Sequence, residues 1–229
     1  MISTRTALVT GGTGGLGSAT ISAFLGAGWR VVAPVRRGTA GRLPQDAVAV
    51  DADLTVAADA GAAVEAAAGD PEAPLRAVVN LVGGYAGGGL IADTPVEDFE
   101  AMLAVNLRPT YLTTAAALPH LVAAGGGAVV CVSSRAAVAP FPGAAGYVTA
   151  KAAVSAFASA VAVEYRKQRV RCNTVLPSVI DTPANRAAMP DADHGGWVSP
   201  AAIADVVLFL ASDASGPTTG AQIPVYGQA

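Results

Sequence analysis

Short apolar runs alternate with longer alanine-rich segments along this chain. The short runs are rich in valine and predict seven strands, at Thr6–Thr10, Arg30–Ala33, Ala47–Val50, Ala77–Leu81, Ala128–Ser133, Val170–Leu176 and Gln222–Val225. The longer segments predict five helices, at Leu16–Ala27, Val56–Ala68, Pro95–Ala124, Thr149–Gln168 and Pro200–Ser212. Apolar strands that alternate with helices are typical of a parallel sheet covered on both faces. The pattern therefore predicts an α/β fold, a single-domain Rossmann-type doubly wound parallel sheet flanked by helices on both faces.

The glycine-rich stretches predict loops rather than domain boundaries. Residues 83–89 and 125–127 are too short to act as linkers, and the sequence contains no internal repeat and no long polar segment. We therefore expect one domain over residues 1–229. In a sheet of this type, ligands bind at the carboxyl ends of the strands, so the loops that follow the strands are the place to look for function.

Two features are expected in the third predicted helix. The segment Thr94–Glu97 predicts its start, because a capping threonine is followed by a proline at the first helical position and by a glutamate three residues after the cap. Pro109 has no N–H group for the carbonyl four residues earlier. The sequence therefore predicts a local break near Asn106.

Composition narrows the possible function classes. Hydrophobic residues make up 52% of the chain and charged residues only 14%, the formal net charge is −3 and the pI is near 5.3. Basic residues are scattered, so no positive surface for a nucleic acid is predicted. His120 and His194 lie far apart and near no carboxylate-rich cluster. They predict surface or cap positions, and we expect no metal site.

The sequence also bears on where the protein resides. Every long apolar run is interrupted by glycine, proline or charge within about 18 residues, so no membrane span is predicted. The segment Met1–Thr10 has no separate apolar region or cleavage site of a secretory signal. Cys131 and Cys172 could be neighbours in a sheet, but buried reduced thiols are the better interpretation. We therefore expect a cytoplasmic protein that binds neither membrane nor nucleic acid.

A glycine-rich turn joins the first predicted strand to the first predicted helix. The segment Thr10–Gly17 reads Thr-Gly-Gly-Thr-Gly-Gly-Leu-Gly, and Gly12, Gly14 and Gly17 satisfy the spacing G-x-G-x-x-G. Glycines let the backbone approach a pyrophosphate, and the helix start behind them offers free N–H groups. The segment lacks the Lys-Ser or Lys-Thr of a P-loop. The alternative is a flexible glycine turn with no ligand.

Tyr147 and Lys151 are the candidate catalytic pair. Residues four apart lie on one face of a helix, so the two side chains can converge. The usual pKa of tyrosine, about 10, is too high for acid–base work near neutrality. A nearby ammonium, and any positive ring of a ligand bound beside the phenol, would favour the phenolate and lower that pKa. The alternative is a chance spacing, but only one other lysine, Lys167, occurs in a chain that otherwise uses arginine.

The glycine turn and the Tyr-x-x-x-Lys pair together resemble the short-chain dehydrogenase/reductase (SDR) family. Thr10, Gly11, Gly15 and Gly17 match the family's T-G-x-x-x-G-x-G motif, and similar motifs extend from Thr10 to Thr182 and on to the C-terminal segment. The resemblance implies one dinucleotide-binding and catalytic domain. The catalytic residues that it implies are Asn106, Ser134, Tyr147 and Lys151.

The resemblance also implies the cofactor-binding residues. They are Gly11, Thr13, Gly14, Gly15, Leu16 and Gly17 in the turn, Arg36 and Arg37, Asp53 and Leu54, Asn80 and Gly83, Tyr147 and Lys151, and Pro177, Ile180 and Thr182. Two positions depart from the family. The Asn-Asn-Ala-Gly motif reads Asn-Leu-Val-Gly at residues 80–83, where Asn80 is expected to brace the sheet. Ser178 stands where a glycine commonly follows the proline.

The end of the second predicted strand indicates which nicotinamide cofactor is used. An acid at this place holds the ribose hydroxyl of NAD, whereas a nearby arginine accommodates the 2′-phosphate of NADP. Val35 stands where the acid is usual, and Arg36 and Arg37 follow it. Guanidinium groups bind phosphate bidentately. NADP(H) is therefore favoured and NAD(H) remains possible; the alternative is two solvated arginines.

The resemblance implies hydride transfer between the nicotinamide and a ketone or secondary alcohol, such as a 3-oxoacyl compound or a small carbonyl. The segment Gly83–Gly88 faintly resembles the Gly-Gly-Trp-Ala-Gly-Gly of dihydropteridine reductases, so reduction of a pterin is one alternative. A non-catalytic, redox-sensing regulator that binds NADP(H) is another, and a structural or interaction protein is a third. The Ala150–Ala162 helix is apolar or small on nearly every face, which predicts a homodimer or homotetramer.

Overall fold

All seven strands belong to one parallel sheet. The structure is a computed structural model that describes residues 4–228, so Met1–Ser3 and Ala229 of the expected domain lie outside the described residues. The strand order is β3-β2-β1-β4-β5-β6-β7. The strands are β1 (Thr6–Val9), β2 (Arg30–Val35), β3 (Val48–Asp51), β4 (Leu75–Asn80), β5 (Gly127–Val132), β6 (Val170–Pro177) and β7 (Gln222–Val225).

The described chain contains seven α-helices, and five of them cover the two faces of this sheet. The seven are α1 (Gly15–Gly26), α2 (Ala57–Ala68), α3 (Val96–Asn106), α4 (Arg108–Ala123), α5 (Ala145–Glu164), α6 (Pro183–Ala188) and α7 (Pro200–Ala211). One core lies between the sheet and helices α1 and α7, and includes Phe24 and Ile203. A second core lies between the opposite face and helices α2, α4 and α5, and includes Leu121 and Val154. The predicted doubly wound fold is confirmed.

The strand order reverses between β1 and β4, which are neighbours in the sheet. Crossovers from β1 lead to β2 and β3 on one side, and crossovers from β4 lead to β5 and β6 on the other. The connections after β1 and β4 therefore diverge at the carboxyl edge of the sheet. Such a switch point leaves a crevice in which ligands of doubly wound proteins bind.

Several predicted boundaries need correction. The predicted helix Pro95–Ala124 is two helices, α3 and α4, which meet at Asn106 and Leu107; this is the predicted break. Thr94 does not cap α3, because its hydroxyl donates to the carbonyl oxygen of Leu90 at 2.9 Å. Helix α5 begins four residues earlier than predicted, so Tyr147 lies in its first turn.

Helix α5 is long and apolar enough, by length and composition, to cross a membrane, with a mean hydropathy of 1.4. This differs from the sequence-based expectation that no run qualifies. Its buried residues, among them Val154 and Ala158, pack on the sheet in the second core. Its outward residues, such as Val163, are exposed, so the helix is not buried all round within one chain. Cys131 and Cys172 are free and fully buried, as predicted.

Arginines at the amino edge of the sheet bind the last carbonyl groups of three helices. Arg30 Nη2 donates to the carbonyl oxygen of Ala66 in α2, and Arg76 Nη1 donates to that of Ala124 after α4. Arg171 Nη1 donates to the carbonyl oxygen of Leu210 in α7 at 2.8 Å. Helix C-termini carry unpaired carbonyls and a partial negative charge, which these cations satisfy.

Candidate active site

A cleft of about 720 Å³ lies at the carboxyl edge, where the connections after β1 and β4 diverge. Most of the predicted site residues line it: Gly11, Thr13, Gly14, Gly15, Leu16, Gly17, Arg36, Asp53, Leu54, Gly83, Tyr147, Lys151 and Ile180. Within the described chain, the predicted residues outside this lining are Arg37, Asn80, Asn106, Ser134, Pro177 and Thr182. The fold therefore gathers residues from distant segments of the chain into one place.

The glycine turn needs glycine for steric reasons at its two ends. Gly11 has a φ of +70°, in the left-handed region that other residues rarely adopt. A Cβ on Gly17 would overlap the carbonyl oxygen of Gly11, so the helix start packs directly on the turn. A Cβ on Gly15 would lie 2.8 Å from Cγ2 of Thr182, which places the segment after β6 against the same turn.

The first turn of α1 faces the cleft with its N–H groups available. Within residues 4–228, no side chain caps this helix, whose N-cap is Gly14. Arg42 lies beside the turn, because its Nη2 donates to the carbonyl oxygen of Thr13 at 3.3 Å. Free N–H groups, a helix dipole and a nearby cation all favour an anionic group at this position.

The end of β2 carries no acid toward the cleft. Val35 is buried, with an exposed fraction of 4%, and Arg36 follows it into the lining. Thr55 donates two hydrogen bonds to Asp53 and lowers the pKa of its carboxyl group, and the charge of Arg36 contributes further. Arg37 is exposed and lies outside the lining.

Asn80 braces the sheet, as expected, and does not line the cleft. Its Nδ2 donates to the hydroxyl of Thr114 in α4 at 2.9 Å. Gly83, three residues later, lies where two functional side chains meet. A Cβ on Gly83 would lie 3.0 Å from Nζ of Lys151 and would also contact Oδ1 of Asn106, so a glycine is required there.

Lys151 is buried at the centre of the site, with an exposed fraction of 6%. Its Nζ donates to the carbonyl oxygen of Val132 at 3.1 Å, and its own carbonyl oxygen accepts from Ser133 Oγ at 2.7 Å. These reciprocal bonds fix α5 to the end of β5. Burial lowers the pKa of Lys151 to about 8, although the neighbouring Cys131 acts in the opposite direction.

Tyr147 lies next to Lys151, with Nζ 5.9 Å from the centre of its ring. Burial raises the pKa of Tyr147, hydrogen bonding with Ser134 lowers it, and Tyr85 raises it. The net direction is upward in the chain by itself, without the positive ring of a ligand that the sequence-based expectation includes. Burial outweighs the polar contacts that the chain provides.

Ser134 caps the short turn after β5. Its Oγ accepts from the N–H of Ala136 at 3.1 Å, so its hydroxyl hydrogen can be donated to a second oxygen, that of Tyr147 or that of a ligand. Ser133 next to it is buried and binds Lys151, as described above. The two adjacent serines therefore have different partners, as expected where successive side chains of an extended segment point to opposite faces.

Asn106 uses its side chain to hold the loop after β4. Its Nδ2 donates to the carbonyl oxygens of Gly84 and Met102 at 3.0 Å, and its Oδ1 accepts from the N–H of Gly84 at 3.2 Å. These bonds occupy both the Nδ2 and the Oδ1 of the Asn106 side chain. The break between α3 and α4 places this side chain next to the loop. Asn106 is fully buried beside Lys151.

The segment after β6 approaches the glycine turn. Pro177 ends β6, Ile180 lines the cleft, and Thr182 caps α6 by accepting from the N–H of Asn185 at 3.2 Å. Ser178, the departure from the family pattern, donates to the carbonyl oxygen of Tyr226 at 2.6 Å. This serine therefore ties the segment to the C-terminal residues.

Sequence reasoning missed three supporting residues. Arg42 contacts the glycine turn from a loop that no motif marks. Ser133 joins β5 to α5, and only the known position of the lysine could have suggested it. Thr10, quoted in the motif but given no role, accepts from the N–H groups of Leu81 and Val82 and so binds the turn to the end of β4.

The two histidines lie away from the cleft lining. His120 Nε2 is 3.1 Å from a carboxylate oxygen of Glu65. His194 lies near Arg186 and against the ring of Trp197, with ring centres 4.3 Å apart. In the described part of the chain, no group of three or more histidine, cysteine or acidic residues is close enough to hold a metal.

A dinucleotide fits what the cleft offers. The close packing of Gly17 on Gly11 opens a backbone cradle, and the uncapped start of α1 supplies N–H groups for a pyrophosphate. Arg36 follows β2, and Tyr147 with Lys151 lies on α5 between β5 and β6, so these residues line the cleft from opposite sides of the reversal in strand order. An adenosine phosphate and a nicotinamide would therefore find suitable partners on opposite sides.

Comparison with known proteins identifies the family. The sequence model described as short chain dehydrogenase matches residues 5–193. A 2-(R)-hydroxypropyl-CoM dehydrogenase of Xanthobacter autotrophicus is 32% identical over 247 residues, which cover 97% of each chain. A short-chain type dehydrogenase/reductase from Mycobacterium ulcerans has a solved structure with a TM-score of 0.92 and 27% identity, covering 99% of this chain and 90% of that one.

A second solved structure, ElxO with NADP bound, has a TM-score of 0.89 and covers 98% of each chain, and its 22% identity supports the fold alone. The chain therefore belongs to the short-chain dehydrogenase/reductase family. It is an NAD(P)-dependent oxidoreductase that acts on CH–OH or C=O groups.

Proposed function

We propose that this protein transfers a hydride between NADP(H) and a ketone or secondary alcohol, of the 3-oxoacyl type or another small carbonyl. The convergence of Tyr147 and Lys151 with the glycine turn in one cleft carries this proposal. Ser134 is close enough to Tyr147 to influence the pKa of its phenol. A carbonyl oxygen placed between these two hydroxyls would meet both donors.

Each side chain then has a definite role. Tyr147 gives a proton to the carbonyl oxygen during reduction, and Ser134 donates a hydrogen bond to the same oxygen as negative charge develops. Lys151 holds its ammonium beside the phenol and binds the nicotinamide ribose. Asn106 fixes the loop at Gly83 and Gly84, and its backbone helps to hold a water that leads from the lysine to solvent.

The nicotinamide, when bound, supplies or accepts the hydride. The glycine turn would hold the pyrophosphate, and Asp53 and Leu54 the adenine. Arg36 supports NADP(H), because a guanidinium at the end of β2 can bind the 2′-phosphate where an acid would repel it. Arg42, beside the turn, adds a second cation near the cleft. NAD(H) remains the alternative cofactor.

The other sequence-based hypotheses are less well supported. A redox-sensing regulator would not need Tyr147, Lys151 and Ser134 together in the cleft. Reduction of a pterin would not require the serine, whose hydroxyl can donate to the oxygen of a carbonyl. The proposal therefore keeps a ketone or alcohol as the substrate.

The assembly and location remain predictions of the same proposal. The exposed outward face of α5, which includes Val163, fits contact with a second copy in a homodimer or homotetramer. Free buried thiols at Cys131 and Cys172 fit a reducing compartment such as the cytoplasm. A monomer in light scattering would contradict the first of these.

Oxidation of NADPH at saturating cofactor, followed over a panel of ketones and 3-oxoacyl thioesters, tests the proposal. We expect Tyr147→Phe to lower kcat by about 10²- to 10⁴-fold, because it removes the proton donor. NADPH binding, measured by fluorescence titration, is expected to change by less than about threefold because the ring remains.

Tyr111→Phe, at an exposed tyrosine on α4, is the matched control and should leave kcat unchanged. Undiminished turnover by Tyr147→Phe would refute the assigned role. A higher kcat/KM with NADH than with NADPH would refute the cofactor assignment. Tight NADPH binding without turnover of any carbonyl would favour the regulator.

A further inference from the structure

Several exposed apolar side chains lie at the carboxyl edge of the sheet, where the cleft opens, and one of them, Tyr85, lines the cleft. They lie on the connections after β4, β5 and β6 and at the start of α3. The large ones are Tyr85, Leu90, Ile91, Val96, Val138, Phe141, Val179 and Met189. Exposed apolar groups rimming a cleft indicate a binding surface for an apolar ligand.

Tyr85 is the member of this group closest to the chemistry. Its ring meets the ring of Tyr147 edge-on, with centres 5.2 Å apart and an interplanar angle of 90°. It also lines the cleft, yet 57% of its surface is exposed. The exposed face of the Tyr85 ring is therefore available to a ligand that enters the cleft.

Phe141 extends the same aromatic surface from the connection after β5. Its ring centre lies 6.1 Å from that of Tyr85 at a tilt of 45°. The three rings of Phe141, Tyr85 and Tyr147 therefore form a continuous row. We call the exposed pair, Tyr85 and Phe141, the aromatic wall.

The backbone holds the two loops of this wall in register. Gly88 N donates to the carbonyl oxygen of Gly143 at 2.8 Å. A Cβ on Gly87 would overlap that same carbonyl oxygen, so only glycine permits the contact. The wall is therefore fixed in place by the loop–loop contact and does not depend on a ligand to form.

The two loops that carry the wall contain few charged residues, although the ammonium of Lys151 lies beside Tyr147. Asp93 is the one ionisable acidic or basic residue in residues 83–95, apart from the phenol of Tyr85, and Arg135 is the one in residues 134–146. Arg135 lies over the ring of Tyr226 at 5.1 Å, so its cation is already engaged. A charged substituent would find few partners here, whereas a flat ring would pack well on aromatic faces.

We propose that the aromatic wall selects carbonyl compounds that carry an aromatic ring next to the reacting carbon, and that Tyr85 is the specificity-determining residue. This rests on the proposed function, because the wall is defined by its position beside Tyr147. The ring of the substrate packs on Tyr85, which directs the carbonyl oxygen toward the hydroxyls of Tyr147 and Ser134.

Two ketones with the same carbon skeleton test this inference. Acetophenone and cyclohexyl methyl ketone differ in whether the ring is aromatic, and kcat/KM is measured for each at saturating NADPH. For each protein we take the ratio of kcat/KM for acetophenone to kcat/KM for cyclohexyl methyl ketone. This ratio in a variant, divided by the same ratio in the wild type, is independent of the intrinsic reactivities of the two ketones. Tyr85→Leu is expected to lower this ratio by about threefold to tenfold, mainly through KM for acetophenone.

Tyr85→Phe keeps the ring and should keep the ratio. Tyr111→Leu removes a similarly exposed tyrosine whose ring is paired with Phe157 at 5.7 Å, and it should leave the ratio unchanged. An unchanged ratio in Tyr85→Leu would overturn the inference, as would a wild type that does not reduce acetophenone. Turnover of other ketones in those cases would leave the proposed function intact, whereas absence of all turnover would reject both.

Discussion

The helix ends at the two edges of the sheet differ in how their backbone groups are hydrogen-bonded. At the amino edge, Arg30, Arg76 and Arg171 donate to the last carbonyl groups of α2, α4 and α7. At the carboxyl edge, the starts of α1 and α5 have no side-chain cap among the residues that the structure describes. The chain thus satisfies the C-termini of these three helices and leaves the N-termini of α1 and α5, like those of α2, α3 and α4, without a side-chain cap in the described residues.

This difference separates stability from function. The bonds at the amino edge are complete within the chain, so they stabilise the fold whether or not a ligand is present. The carboxyl edge instead holds costly features, such as the buried ammonium of Lys151 and the forced contact between Gly17 and Gly11. Such features persist at sites where a ligand or a reaction uses them.

The largest effect, a loss of NADPH affinity, is expected from adding one methyl group to the glycine turn at the carboxyl edge. In Gly17→Ala, the new Cβ overlaps the carbonyl oxygen of Gly11, so the turn must move away from the pyrophosphate. A displacement of this size is expected to weaken NADPH binding by about 100-fold or more, as measured by fluorescence titration.

Gly61→Ala is the control, because a Cβ there meets no atom within 4 Å and Gly61 lies inside α2. It should leave NADPH binding unchanged and raise the free energy of unfolding by about 0.5–1 kcal/mol. Equal NADPH affinity in the wild type and Gly17→Ala would contradict a phosphate-binding turn.

The buried ammonium predicts a dependence of stability on pH. The pKa of Lys151 is about 8 in the fold against 10.5 in the unfolded chain, so between these values the unfolded state binds more protons and stability rises with pH. Over this window the gain is roughly 3 kcal/mol. Urea unfolding of the wild type and Lys151→Met between pH 7 and 10 measures it as a changing difference, in which the titration of groups distant from Lys151 cancels.

A difference that stays constant with pH would mean that the ammonium is not desolvated in the folded protein. The amino edge provides no comparable dependence, since its arginines remain charged throughout this range.

A smaller effect, a loss of about 2 kcal/mol in the free energy of unfolding, is expected from a substitution at the amino edge. Arg171→Leu removes the charged donor from the carbonyl oxygens of Leu210 and Ser212, which keep only their bonds from Ser215, and charge-assisted bonds of this kind are strong. Urea unfolding should show the loss, whereas KM for NADPH should stay within about twofold. Arg166→Leu, at an exposed arginine, serves as the control. A large rise in KM for NADPH with an unchanged free energy of unfolding would mean that Arg171 supports cofactor binding and does not stabilise the fold.

The sequence predicted the sheet, its strands and the region of the site well, because the relevant signals are local. Continuous valine-rich runs define strands, and Pro109 predicted the break at Asn106 from the missing N–H group alone. The start of α3 was placed correctly to within one residue but with the wrong cap, since the hydroxyl of Thr94 binds Leu90 instead. A short polar side chain can hydrogen-bond to any of several nearby backbone groups, and the geometry of the loop determines which of them it binds.

Other features of the site were not predictable in this way. Arg42 and Ser133 act through contacts with residues 29 and 18 positions away, respectively, and no spacing rule marks either. Burial raises the pKa of Tyr147 in the chain by itself, and the extent of burial depends on how the surrounding loops pack around the phenol. Desolvation is a property of the packed structure.

By itself, the sequence determined the alternation of strands and helices, the glycines of the turn and the four-residue spacing of Tyr147 and Lys151. These depend on backbone sterics and helical periodicity, which act over a few residues. Only the tertiary structure decided that residue 83 has no room for a Cβ beside Lys151 and that arginines bind the helix ends at the amino edge. It also decided that Tyr85 and Phe141 form the aromatic wall beside Tyr147. Each of these arises where segments distant in the chain approach within a few ångströms, and packing alone sets such distances.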